Sequence, residues 1–243
     1  METRGGDAAQ AAPVRDDDAC PADAVHIVYG GTFDPIHHGH LAIARAARDA
    51  LAVPVHLTPA ADPPHRAPPG ADAGQRARMV ALAIEGEAGL VLDARELRRD
   101  GPSYTVDTLR ELRRERGPVP IALLLGADSL LGLPAWHQWE ALPGLAHLIV
   151  ADRRGSDLDA RLPPPLASAL RGRWTDDPGA LRRHPAGRVL RLHQPLHPGS
   201  ATAVRAAIAA GGPWRGLVPD AVAEHIARQR LYGVHGNATG GPL

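Results

Sequence analysis

The stretch GGTFDPIHHGH, residues 30–40, follows directly on the apolar run Val25-His26-Ile27-Val28-Tyr29 and packs three histidines into four positions. His37 and His40 are three apart, so at a helix start both imidazoles project to one side, and each ring can donate a hydrogen bond to an anion. Gly30 and Gly31 let a ligand approach the backbone closely, with Thr32 and Phe33 following in the same turn. A helix beginning near Gly39 adds backbone N–H groups and the positive end of its dipole, a combination suited to phosphate. The same His-x-x-His spacing also fits zinc, but zinc needs a third ligand, and the nearby chain lacks the glutamate of an HExxH helix.

A second constellation lies near the other end. In SATAVR, residues 200–205, Ser200, Thr202 and Arg205 open a predicted helix, where hydroxyls and a guanidinium suit a polyphosphate. Taken alone, the hydroxyls also read as ordinary helix caps.

All 27 basic side chains other than histidine are arginine; the chain has no lysine. That excludes the lysine of a P-loop, a Schiff base and a lysyl-nucleotide adduct. Formal net charge is zero, which gives no global field for gathering nucleic acid. A single cysteine, Cys20, forms no internal disulfide, and no apolar run approaches the roughly 20 residues that cross a bilayer. These features lead us to expect a cytoplasmic protein with neither nucleic acid nor membrane as partner; they assign no oligomeric state.

The elements that must position these groups alternate along the chain. Strands are predicted at 25–29, 53–59, 90–94, 121–128, 146–153 and 188–192, and helices at 40–52, 75–85, from Thr105 to Gly117, 200–211 and 219–232. The segments 121–128 and 146–153 are apolar on both faces, as central parallel strands are. The βαβα rhythm predicts one α/β domain over 25–233, a Rossmann-like, doubly wound parallel sheet closed by C-terminal helices. Residues 155–186, interrupted by Pro163-Pro164-Pro165, are expected to be a surface insertion with one short helix. Residues 1–24 read as a disordered extension and 234–243 as a flexible tail, in which Asn-Ala-Thr at 237–239 has only the form of a glycosylation acceptor.

GGTFDPIHHGH resembles the signature of the HxGH nucleotidyltransferases, and SATAVR their S-x-T-x-x-R element for the β and γ phosphates of a nucleoside triphosphate. PPHR (63–66), ELRRDGPSYTVDTL (96–109), LGADSLLGLPAWHQWE (125–140), HLIVADR (147–153) and the C-terminal LVPDAVAEHIARQRLY are similar to the bacterial nicotinate-nucleotide adenylyltransferases. The likeness runs from about Val25 to Tyr232. It implies ATP and nicotinate mononucleotide as partners, Mg²⁺ with the ATP, and catalysis by His37, His40 and Arg205. It places Gly30, Gly31, Thr32, Phe33, Ser200 and Thr202 with them on ATP. It places Asp128 on the acceptor's ribose and Tyr104, Thr105 and Arg153 around the pyridine nucleotide. Trp136 offers a flat face for the nicotinate ring, and the N–H groups of Trp136 and His137 suit its carboxylate. Arg66, in a Pro-rich loop, meets phosphate or solvent. The chain departs from the family pattern at Ala60 and Ala61, where Asn is common, at Gly199 and at Arg154.

Sister enzymes acting on nicotinamide mononucleotide or phosphopantetheine, a histidine-metal hydrolase and a nucleotide-binding regulator without catalysis are the competing readings. Length, GPSYT and Trp136 speak against phosphopantetheine. Two complete phosphate motifs speak against a silent regulator.

Overall fold

The structure is a computed structural model, described here for residues 24–63, 69–152, 155–193 and 199–234. The disordered extension, the flexible tail, Arg66, Arg153 and Arg154 of the sequence reading lie outside those residues, apart from Ala24 and Val234. Seven strands form one sheet: β1 (His26–Gly31), β2 (Val55–Pro59), β3 (Leu90–Leu92), β4 (Ile121–Gly126), β5 (His147–Asp152), β6 (Trp174–Thr175) and β7 (Val189–His193). The order is β3-β2-β1-β4-β5-β7-β6 and every pairing is parallel. The helices are α1 (His38–Leu51), α2 (Ala73–Ala83), α3 (Thr105–Arg116), α4 (Ala127–Leu131), α5 (Leu142–Leu145), α6 (Leu158–Arg161), α7 (Pro164–Ala169), α8 (Ala201–Ala209) and α9 (Asp220–Gln229).

The central strands are apolar throughout because alternate residues serve different cores. Ile27 and Leu124 pack on one face of the sheet with Leu41, Leu57 and Ile226, whereas Val28, Leu123 and Leu125 pack on the other with Val106, Leu109 and Leu148. α1 buries Leu41, Ala44, Ala47 and Leu51 at helical spacing. Asp72 caps α2 by accepting the Gln75 N–H at 2.8 Å, and Gly117, with φ of 56°, terminates α3.

β1 connects through α1 to β2 on one side, and the chain returns through α3 to β4 on β1's other side. The order therefore reverses between β1 and β4, and the crevice beyond their carboxyl ends is where such sheets bind ligands.

Segment 155–186 corrects the sequence reading of a surface insertion. It supplies the edge strand β6 and buries Leu158, Leu166, Leu170 and Leu181 at 0–1% exposure. The proline run looked like loop, but Pro164 and Pro165 occupy the first turn of α7, where a missing N–H costs nothing. The segment holds two short helices rather than one.

His26, the first residue of β1, is buried, its ring 4.2 Å from that of His56, and its Nε2 has no hydrogen-bond partner among the described residues. Burial, then His56, Arg116 and Arg95, drive its pKa from 6.5 down to about 2. Below pH 6.5 the unfolded chain therefore takes up a proton that the folded chain refuses. The stability carried by the neutral ring is fully present above pH 6.5 and is lost as pH falls, at up to about 1.4 kcal/mol per pH unit. His26→Leu should flatten the decline of the denaturation midpoint as pH falls below 6.5. Equal slopes for variant and parent would assign the acid sensitivity to other groups.

Candidate active site

The β1–α1 turn is built around its glycines. A Cβ on Gly31 would sit 2.9 Å from Cζ of Phe33, whose own φ of 49° turns its ring back over that glycine. Gly30 instead borders open space. The Phe33 ring is buried and meets His40 edge-on at 5.1 Å.

His37 is the N-cap of α1. Its Nδ1 accepts the Gly39 N–H at 3.1 Å, and Nδ1 of His40 accepts the His37 N–H at 3.3 Å, so the two imidazoles form a reciprocal capping box. The rings stack with centroids 3.7 Å apart. A nitrogen that accepts carries no proton, so in this arrangement each ring holds its proton on Nε2. Gly39 is required: a Cβ there would lie 2.9 Å from Cε1 and 3.0 Å from Nδ1 of His37.

Both histidines line a cleft of about 1110 Å³ at the carboxyl ends of β1, β4 and β5. Gly30, Gly31, Thr32 and Phe33 form its floor on the β1 side, and Ser200, Thr202 and Arg205 enter from α8. Ser200 caps α8 by accepting the Ala203 N–H at 3.1 Å while still facing the cleft, so the cap reading holds and leaves its O–H proton available to donate. Arg205 donates from Nη2 to Thr202 Oγ1 at 3.5 Å.

Thr105, Asp128, Trp136 and His137 line the opposite end. Tyr104 is one step removed, with its ring 4.3 Å from that of His137. Asp128 caps nothing; its side chain is 95% exposed and lies 3.7 Å from Arg161. Trp136 rests on the β4–β5 core and keeps a face on the cleft. Its N–H corrects the sequence reading: it donates to Leu133 O at 2.9 Å, closing the short 3-10 turn before it, and cannot also take a carboxylate. The His137 N–H has no carbonyl partner among the described residues.

Several site residues escaped sequence reasoning, some of them because their partners are distant in the chain. Arg76 is 1% exposed and donates to the carbonyls of Thr32, Ala60, Ala61 and Ala71, at 2.6–3.1 Å, fastening the β1–α1 turn to its neighbours. Burial lowers its pKa, opposed by Asp34. Glu96 is buried on the cleft wall, with its pKa raised by burial against the pull of Thr108, Arg99 and Ser103. Ser103 Oγ in turn accepts the N–H groups of Ala61 and Asp62, at 2.9 and 3.2 Å. Asp152, at the end of β5, accepts the hydroxyl of Ser156, and Arg161 lies 3.5 Å from Asp157.

A cleft at the switch point of a parallel sheet is where α/β folds bind their ligands, and the comparisons name the family. The cytidylyltransferase-like family model matches residues 28–212, so the chain belongs to that family. Within it, the chain is 63% identical over 215 residues to a "Probable nicotinate-nucleotide adenylyltransferase" of Stenotrophomonas maltophilia, covering 86% of this chain and 97% of that one. A protein of the same name from Xylella fastidiosa is 49% identical over 217 residues, with 87% and 98% covered. In fold, the chain matches Plasmodium falciparum nicotinic acid mononucleotide adenylyltransferase complexed with NaAD, at a TM-score of 0.67 and 13% identity over 87% of this chain and 98% of that one.

Gly39→Ala should push the His37 ring off its cap and misalign both imidazoles. We expect turnover to drop about 100-fold, the scale of a misplaced catalytic group, with the circular dichroism of the fold retained. Native turnover in this variant would show that the capping box does not set the ring positions.

Proposed function

We infer that the chain transfers the adenylyl group of ATP to nicotinate mononucleotide, forming nicotinate adenine dinucleotide and pyrophosphate in NAD biosynthesis. The observation that carries this reading is the stacked pair His37 and His40. Both rings are tied through Nδ1 to backbone N–H groups, and both line the cleft at the N-terminus of α1. A phosphate placed there meets two donors and a positive helix end.

In the reaction we propose, an oxygen of the acceptor's 5′-phosphate attacks the α-phosphorus of ATP. The bond from that phosphorus to the bridging oxygen breaks, and pyrophosphate leaves with the electron pair. The attacking oxygen is already anionic, so the chain needs no nucleophile of its own, in keeping with the absence of lysine. We assign His37 and His40 to charge on the α-phosphate, and Arg205 with Ser200 and Thr202 to the departing pyrophosphate. Among the described residues no group of three His, Cys, Asp or Glu side chains is gathered that could hold a metal ion. We assign Mg²⁺ to the ATP phosphates, whose charge it would neutralise when bound.

At the acceptor end we assign the nicotinate ring to Trp136 and its carboxylate to the His137 N–H and to Thr105. α3 starts at Thr105 without a side-chain cap, so a negative group there is favoured over a neutral amide. Asp128 is assigned to the ribose, with Tyr104 holding the His137 ring. We keep Arg153 and Arg66 as candidate ligands of the acceptor from the sequence alone. Among the described residues no helix is long and apolar enough to cross a membrane.

Pyrophosphate release from ATP and Mg²⁺, compared with nicotinate and nicotinamide mononucleotide at matched concentrations, tests the assignment. We expect the carboxylate substrate to be preferred by at least about tenfold in kcat/KM, the worth of one charge-assisted hydrogen bond. Equal rates would keep the adenylyl transfer and remove the acceptor assignment. His40→Ala should lower kcat about 100-fold while ATP affinity is retained, and an active variant would refute the role given to the imidazoles.

A further inference from the structure

Asp34, in the middle of the histidine motif, is 5% exposed and is shared by donors from remote parts of the chain. Its Oδ2 accepts the Gly70 N–H at 2.8 Å, and its Oδ1 accepts the Ala71 N–H at 3.2 Å and the Tyr232 hydroxyl at 2.8 Å. Its carbonyl accepts from Arg205 Nη1 at 2.6 Å, and the same nitrogen lies 3.6 Å from Oδ2. The guanidinium that faces the cleft is thus hydrogen-bonded to the Asp34 carbonyl and ion-paired with the Asp34 carboxylate, and that carboxylate is held by a tyrosine near the chain's end.

Two further features mark Tyr232. Arg230 and Tyr232 both adopt left-handed backbone, with φ of 52° and 58°, a conformation that non-glycine residues keep only where surrounding contacts impose it. The Tyr232 ring lies on Gly70, where a Cβ would be 2.9 Å from Cδ1, and the Arg205 stem borders the same spot, with Cδ 3.7 Å from that Cβ position. Burial and the neighbouring Asp34 hold the phenol's pKa above its ordinary value, so the hydroxyl remains a donor at every working pH.

We propose that Tyr232 is a positioning residue for the triphosphate end of the site: through Asp34 it sets where Arg205 presents its guanidinium to the leaving pyrophosphate. The proposal rests on the adenylyl-transfer reading for its chemistry, and on the Tyr232–Asp34–Arg205 contacts for its geometry.

Tyr232→Phe keeps the ring on Gly70 and removes only the O–H. It should lower kcat/KM for ATP about tenfold, the worth of a hydrogen bond to a charged group. KM for nicotinate mononucleotide should stay within about twofold and the melting temperature within a few degrees. Introduced into Arg205→Ala, the same change should alter kcat/KM for ATP less than about twofold, because its effect passes through the missing guanidinium. An undiminished effect in that background, or parallel losses for both substrates with a lowered melting temperature, would reduce Tyr232 to packing and overturn the proposal. Titration of parent and variant with Mg²⁺ and ATP by calorimetry separates the two readings. If the parent binds ATP but releases no pyrophosphate with either acceptor, the function assignment fails. Weaker binding by the variant then still supports the positioning role, and equal binding overturns it.

Discussion

A helix leaves its first backbone N–H groups without intrahelical partners, and α1 meets them with imidazole rather than the usual hydroxyl or carboxylate. The choice has a chemical consequence. A carboxylate cap would place negative charge where we place phosphate, whereas an imidazole accepts through Nδ1 and still carries a proton on Nε2. The reciprocal box between His37 and His40 therefore does two things with the same bonds: it satisfies the helix start and selects the tautomer of both rings. Gly39 is the condition for it, since any side chain there would occupy the space of the His37 ring.

The sheet exists, from this point of view, to hold that turn. β1 lies between β2 and β4 with its side chains divided between two cores, so its carboxyl end has little freedom to shift. That part was readable in the chain, because a strand buried on both faces is a continuous apolar run and the helices between carry their own periodicity. Every main predicted strand and helix is present within a few residues, and the Rossmann-like parallel sheet follows from their alternation. Departures come from short-range geometry that periodicity does not encode. The Trp136 N–H is taken by a 3-10 turn, and the proline run of 163–165 starts a helix on a core-facing leucine.

Long-range polar contacts were not readable for a different reason. Asp34 pairs with residues 36 to 198 positions away, and no local pattern marks the partner of a single carboxylate. Arginine makes this more pronounced. Arg76 and Arg113 each satisfy four backbone carbonyls drawn from three segments, a task that the planar five-donor guanidinium performs and a lysine ammonium cannot. In a chain without lysine, arginine serves as internal fastener as well as candidate phosphate ligand, so an arginine's identity alone does not reveal which role it has.

The two ends of the cleft are built differently. At the end we assign to phosphate, His37, Asp34 and Arg76 are buried and each is bonded to backbone, so these groups stand in place before any ligand arrives. Preorganisation of this kind lowers a barrier because no reorganisation is needed as charge moves. At the other end, Asp128 and His137 are exposed, and Trp136 sits on a short turn. Exposed groups such as these are less fixed by packing than buried ones, and we assign them to the acceptor. Where the chemistry is common to a family and the acceptor differs among its members, this division is expected: reaction geometry belongs to the buried backbone-anchored end, and substrate choice to the end that can vary without disturbing it.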